Sequence, residues 1–193
     1  MVYSDRRREV AAAAWQVIVR EGLDLTSLRA IAQEMNATTG VVTHSFRNKQ
    51  ALILFALHQV TERLQVLMAE AIADKSGTDR LVAILSSFLP LDREREEILQ
   101  VWVAFLGFAV GRENLMQEHQ QSAAQLRELL IQELQILQKQ QILRPDLDPE
   151  IEANVLLALG NGLSLDSLIQ AQSLTPQQQE ATIRRYVQTL HKD

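Results

Sequence analysis

The stretch Thr26-Ser27-Leu28-Arg29-Ala30-Ile31-Ala32-Gln33-Glu34-Met35-Asn36-Ala37-Thr38-Thr39-Gly40-Val41-Val42-Thr43-His44-Ser45-Phe46-Arg47-Asn48-Lys49 reads as two short helices and the capped start of a third. A hydroxyl of Thr26 or Ser27 can accept a bond from an orphan amide of the first turn. Leu28, Ile31, Ala32 and Met35 then recur at helical spacing and make one buried stripe. Asn36 is one of the few non-glycine residues that tolerates the left-handed conformation in which helices end. Thr38 or Thr39 can cap the second helix, and Val42 and Phe46, four apart, can face inward. That leaves Thr39, Gly40, Thr43 and His44 outward, a thin polar surface suited to entering a groove. The arrangement is a helix-turn-helix with residues 38–45 as its recognition helix.

Outside this stretch the chain is ordinary in bulk and uneven in charge. It has 193 residues, 47% of them hydrophobic and 22% charged, with few aromatics and glycines, which favours an all-α globular protein. The net charge of −5 is not evenly spread: residues 1–50 carry +2 and the remainder −7. A mildly basic end on an acidic body suits a protein that touches DNA with one end only. There is no cysteine, which removes disulfides, thiol nucleophiles and Cys-ligated zinc and fits a reducing cytoplasm. No run is long and apolar enough for a membrane span, and the first residues lack the apolar stretch of a signal peptide. A cytoplasmic protein without a membrane partner is expected.

Along the chain, residues 5–21 form a first helix capped by Ser4 and stopped by Gly22. A long helix follows over about residues 48–73, then a short one over 78–89 ended by Pro90. Residues 98–110 are apolar nearly all round and are expected to be buried. A Gln-rich helix over 113–141, another over 150–172 and a last one opened by Ser173-Leu174-Thr175-Pro176 complete nine helices. Arg6, Arg7 and Arg8 in the first turn have two readings: solvated charges, or groups that approach phosphates.

The helix-turn-helix and the helix before it resemble the DNA-binding domain of the tetracycline-repressor (TetR) family over roughly residues 8–55. The resemblance includes the trailing Phe46-Arg47-Asn48-Lys49-Gln50-Ala51-Leu52. Two positions depart from the family pattern: Asn36 stands where the turn usually has Gly, and Thr43-His44-Ser45 replaces Tyr-Tyr-His. The resemblance implies a three-helix DNA-binding domain over residues 1–47 and a helical ligand-binding and dimerisation domain over 48–193. It also implies a phosphate-contacting role for Lys49, placed next to the Asn48 cap, and phosphate contact by at least one of the first-turn arginines. Arg29 matches a position from which relatives reach a base, against the reading of a solvated or phosphate-bound arginine. Thr38, Thr39, Gly40, Thr43 and His44 are the remaining DNA candidates, with a buried structural histidine as the alternative for His44.

For the body, Trp102, Phe105 and Phe108 fall at i, i+3, i+6 and span an arc of about 120°, enough for one wall of a cavity or for plain core. Met116 and His119 on the next helix can form an opposite wall. The segment Trp102-Val103-Ala104-Phe105 resembles that of choline-responsive repressors of the glycine-betaine regulon, which implies a small-molecule effector of quaternary-ammonium type. Enzyme chemistry has no footing: the four histidines form no metal-ligand pair, and no phosphate loop, nucleophile elbow or zinc-protease motif is present. No catalytic residue, metal or cofactor is expected. The expected protein is a homodimeric, effector-responsive regulator of transcription, a repressor, that binds double-stranded DNA.

Overall fold

The computed structural model describes residues 5–170 and 174–192, without the side chains of Asp24, Asn114 and Glu118. Among the described residues there are nine helices and no strand. They are α1 (Asp5–Leu25), α2 (Leu28–Glu34), α3 (Thr39–Ser45), α4 (Lys49–Ile72), α5 (Gly77–Ser86), α6 (Arg93–Ala109), α7 (Glu113–Lys139), α8 (Pro149–Ile169) and α9 (Pro176–Thr189). The expected cap at Ser4, and Ser173 at the opening of the last helix, lie outside the described residues. Gly22 breaks α1 as expected: its φ of 76° is in the region that glycine adopts without strain.

The helices supply two compact units. One comprises residues up to Glu62 together with Gln100–Gln117; the other comprises Arg63–Leu99 and the residues from Glu118 onward. In the first, α1 lays Val10, Ala14 and Val17 against Ile31, Val42 and Phe46, all almost wholly buried. Phe46 meets Phe55 edge to face, with ring centroids 5.3 Å apart. The Arg7 guanidinium lies 5.0 Å from the Phe46 centroid and 5.6 Å from that of Phe55. Of the three first-turn arginines, Arg7 is therefore a packing residue, and Arg6 pairs with Glu9 at 2.5 Å.

The second unit is built on α5, whose Leu81, Ile84 and Leu85 are buried with Leu130, Leu134 and Leu156. Glu133, only 8% exposed, is held by Arg80 at 2.8 Å, so this buried carboxylate has its countercharge. Ser164 in α8 donates to the Phe88 carbonyl at 3.2 Å. The chain end is clasped by amides, Arg144 N to Leu190 O and Lys192 N to Ile142 O, both 3.0 Å. Thr175 and Gln178 form a reciprocal capping box at the start of α9.

The expectation that residues 98–110 are buried all round is corrected. Ile98, Leu99, Val101, Phe105 and Ala109 are buried, but Gly107 is exposed and Val110 is 70% exposed. An apolar run marks a helix able to bury any face; packing here uses chiefly one.

Candidate nucleic-acid interface and effector wall

Ser27, not Thr26, caps α2: its Oγ accepts from the Ala30 amide at 3.1 Å. The Thr26 hydroxyl, in a residue 2% exposed, instead donates to the Gly22 carbonyl at 2.7 Å and helps close α1. The turn after α2 runs through Asn36 at φ 49°, and the Ala37 amide returns to the Ala32 carbonyl at 2.8 Å. This 6→1 bond, spanning five positions, is the glycine-type helix stop made with asparagine. Thr38 takes the N-cap backbone position of α3 without a capping bond from its side chain.

On α3 the two faces separate sharply. Val42 is wholly buried and Phe46, just beyond the helix, is 1% exposed, while Thr39, Gly40, Thr43 and His44 are all exposed. The alternative of a buried His44 is thereby removed. The Thr43 hydroxyl points its proton back to the Thr39 and Gly40 carbonyls, at 3.2 and 3.1 Å, which leaves acceptor lone pairs outward. A side chain at Gly40 would reach the Thr38 hydroxyl at only van der Waals distance, 3.6 Å. The glycine thus thins the surface without relieving any clash.

Two basic residues flank this face. Arg29, in the first turn of α2, is exposed. Lys49 opens α4 beside Asn48, whose Oδ1 accepts from the Ala51 amide at 2.8 Å. The Lys49 ammonium donates to the Leu23 carbonyl at 2.9 Å, a partner that cannot be foreseen from local spacing. One of its three N–H groups is thus engaged inside the unit, and the side chain is half-buried. Arg47, exposed between α3 and α4, adds a third cation that the motif displays but sequence reasoning passed over. Another missed tie is Arg20, which bridges Glu21 and Glu34 at 3.0 and 2.9 Å and links α1 to α2.

The expected effector residues divide. Trp102, Phe105, Phe108 and Met116 belong to the first unit and His119 to the second. Trp102, Phe108 and Met116 are half-buried, whereas Phe105 is 2% exposed. One face of Phe108 already carries a cation, since the Arg112 guanidinium sits 4.1 Å from its centroid and also donates to the Phe108 carbonyl. His119 is half-buried, and burial holds its imidazole below the ordinary histidine range. Among the described residues no three histidine, aspartate or glutamate side chains are grouped as metal ligands, and no helix is long and apolar enough to cross a membrane.

Comparison with known proteins gives the arrangement its relatives. Residues 10–55 match the profile of bacterial regulatory proteins of the tetR family, and residues 77–192 match that of the C-terminal domain of BetI-type transcriptional repressors. The HTH-type transcriptional regulator PksA of Bacillus subtilis (strain 168) is 26% identical over 190 residues, 97% of this chain and 91% of that protein. The HTH-type regulator BetI of Escherichia coli (strain K12 / DH10B) is 25% identical over 133 residues, 67% of this chain and 68% of that one. Among solved structures, a transcriptional regulator from Rhodococcus sp. Rha1 superposes with a TM-score of 0.85 at 26% identity, covering 95% of each chain. A regulator from Saccharomonospora viridis, crystallised in complex with choline, reaches a TM-score of 0.92 over 98% of this chain and all of its own, and at 19% identity shares the fold. Both profiles describe regulators of transcription rather than enzymes. With a helix-turn-helix at one end and a matched profile over most of the remainder, the chain belongs to the TetR family of transcriptional regulators, with a C-terminal domain of the BetI type.

Proposed function

We propose that the protein is a repressor that binds a palindromic operator as a homodimer and lets go of it, or is re-spaced on it, when a small molecule occupies its C-terminal domain. The observation that carries this reading is the exposed polar face of α3, Thr39, Gly40, Thr43 and His44, set opposite the buried Val42 and Phe46. Thr38 stands at the head of that helix. In this reading these side chains meet base edges or the adjoining backbone, Arg29 reaches guanine or phosphate, and Lys49 holds a phosphate with its remaining N–H groups. Residues 1–47 are the reading head, and residues 48–193 bind the effector and the second subunit.

Support for the dimer comes from α8, which leaves Ile151 60%, Val155 37%, Leu165 39% and Ile169 77% exposed. Fully burying an exposed aliphatic side chain is worth roughly 1.5–3 kcal/mol, and proportionately less for the partly covered Val155 and Leu165, so a second copy of the helix is a fitting cover. One reading head contacts few base pairs, and a two-fold pair matches a palindrome with half-sites about one helical turn, or a multiple, apart. The effector is proposed to be a quaternary ammonium. The BetI-type profile and the choline complex of a fold relative support this, with Trp102, Phe105, Phe108, Met116 and His119 as the contacting residues.

Selection of bound DNA from a random pool, followed by sedimentation of the complex, tests the reading. The expected outcome is a palindromic consensus bound by two chains, with choline lowering the affinity. A non-palindromic consensus, or one bound by a single chain, overturns the dimeric reading, and indifference to choline overturns the effector.

A further inference from the structure

Within the second unit, a cleft of about 310 Å³ lies among the end of α4, one face of α5, the start of α6 and α9. That volume is at the lower end of small-molecule sites. Lys75, Arg95 and Arg184 line it together with Asp79 and Glu180. Arg184 is spent on the two carboxylates, with Nη1 at 2.6 Å from Asp79 and Nη2 at 3.5 Å from Glu180. Its hydrogen bond holds the Asp79 carboxyl below the usual carboxylate range, so that pair stays charged and mutually satisfied. Lys75 and Arg95 remain as the cationic wall.

Two buried polar atoms of the same lining make no hydrogen bond: Ser86 Oγ and Arg95 Nε. Arg95 Nε is ion-paired with Asp92, whose oxygen stands 3.6 Å away, beyond hydrogen-bond reach. The neighbouring Ser87, the C-cap of α5, donates to the Ala83 carbonyl four residues back at 2.8 Å. Ser86 does not do so. Leaving two such groups buried and unbonded carries a desolvation cost that a bound acceptor would remove. Ala71, Val82 and Leu91 complete the lining with apolar surface.

We infer that this cleft is a second ligand site, separate from the aromatic residues of α6, and that it takes a small oxyanion. Arg95 and Ser86 would donate to the anionic head, Lys75 would close over it, and Val82 and Leu91 would receive a short apolar tail. A carboxylate and a phosphate share this head chemistry. Titration calorimetry of the full chain, at constant ionic strength set with chloride, separates them by using butyrate and inorganic phosphate as probes. Saturable binding of one probe per chain is the expected result: tighter butyrate identifies a carboxylate with a tail, tighter phosphate a phosphoryl head. Arg95→Gln and Ser86→Ala should each weaken the bound probe by about tenfold or more, as expected for lost bonds to a charged group. Arg127→Gln, on an exposed part of α7, and Trp102→Ala should leave it unchanged. If circular dichroism shows that Arg95→Gln has lost its helices, Ser86→Ala decides alone, since it removes only a hydroxyl. No saturable binding of either probe up to about 10 mM, or parental affinity in the folded variants, overturns the site.

Discussion

Lys49 shows how much one side chain can be asked to do. Its ammonium reaches the Leu23 carbonyl, which also accepts from the Thr26 amide at 3.2 Å, so the end of α1 is closed from two directions. A cation at a helix C-terminus is favourable in its own right. Lys49→Ala should therefore weaken binding to all DNA sequences alike and reduce the magnitude of the salt slope by about one. It should also lower unfolding stability by about 1 kcal/mol through the lost internal bond. Salt-dependent binding and urea unfolding read the two effects separately, and an unchanged slope in a folded variant removes Lys49 from the interface. The placement of Lys49 beside the Asn48 cap is legible in the sequence, but its carbonyl partner depends on tertiary packing across 26 positions. Arg7 makes the same point in reverse. Its position in a basic first turn suggested phosphate, whereas two aromatic faces brought to it by the fold engage it. Tyr186 offers a test by pH. Burial, then its hydrogen bond to Glu152 at 2.7 Å, pushes the phenol up to about 12 from an ordinary 10.0. The folded chain then holds a proton that the unfolded chain releases, so this contribution is full below pH 10 and is lost as pH rises through 12. Urea midpoints measured from about pH 9 to about 11.5 should fall more steeply in the parent than in Tyr186→Phe.

At the scale of elements, spacing gives helices readily and caps less so. Thr26 and Ser27 both carry the hydroxyl a cap needs, and nothing local chooses between them. The choice follows from Gly22, whose carbonyl takes the Thr26 proton and leaves Ser27 for α2. Ser27→Ala should cost about 0.5–2 kcal/mol, read as a lower denaturation midpoint with unchanged denaturant slope. Asn36 is the opposite case, since its chemistry alone names the left-handed turn that the backbone adopts. The apolar faces of α8 and α9 are equally plain in sequence, yet they have different fates. Ile183, Val187 and Leu190, at an i, i+4, i+7 spacing that would suit a partner-facing stripe equally well, are at most 2% exposed and belong to the chain's own core. The apolar residues of α8 that stay exposed are the ones left for the proposed partner. Periodicity tells which side of a helix is apolar and is silent on what covers it.

For the whole molecule, the proposed seam can be probed at Gly162. A Cβ added there meets nothing within 4 Å inside the chain, and leucine is the better helix former. Gly162→Leu should keep each chain helical while shifting sedimentation toward monomer and removing operator binding; a variant that stays dimeric defeats the placement of the seam. The order of the nine helices among the described residues was readable because turns, caps and apolar stripes are local signals, and the exposed polar face of α3 because its apolar residues fall on one side. The cleft among α4, α5, α6 and α9 was not, since Lys75, Ser86, Arg95 and Arg184 are scattered through the sequence and only packing brings them to one lining. The bonds that hold the molecule together also differ in reach. Arg20 to Glu34 and Lys49 to Leu23 close loops of 14 and 26 residues, whereas Arg80 to Glu133, Ser164 to Phe88 and Arg184 to Asp79 join positions 53, 76 and 105 apart. Closing a short loop loses less chain entropy and happens sooner. The helix-turn-helix is therefore placed to assemble early, while the ribosome is still adding α8 and α9, and the second unit waits for the last helix to arrive.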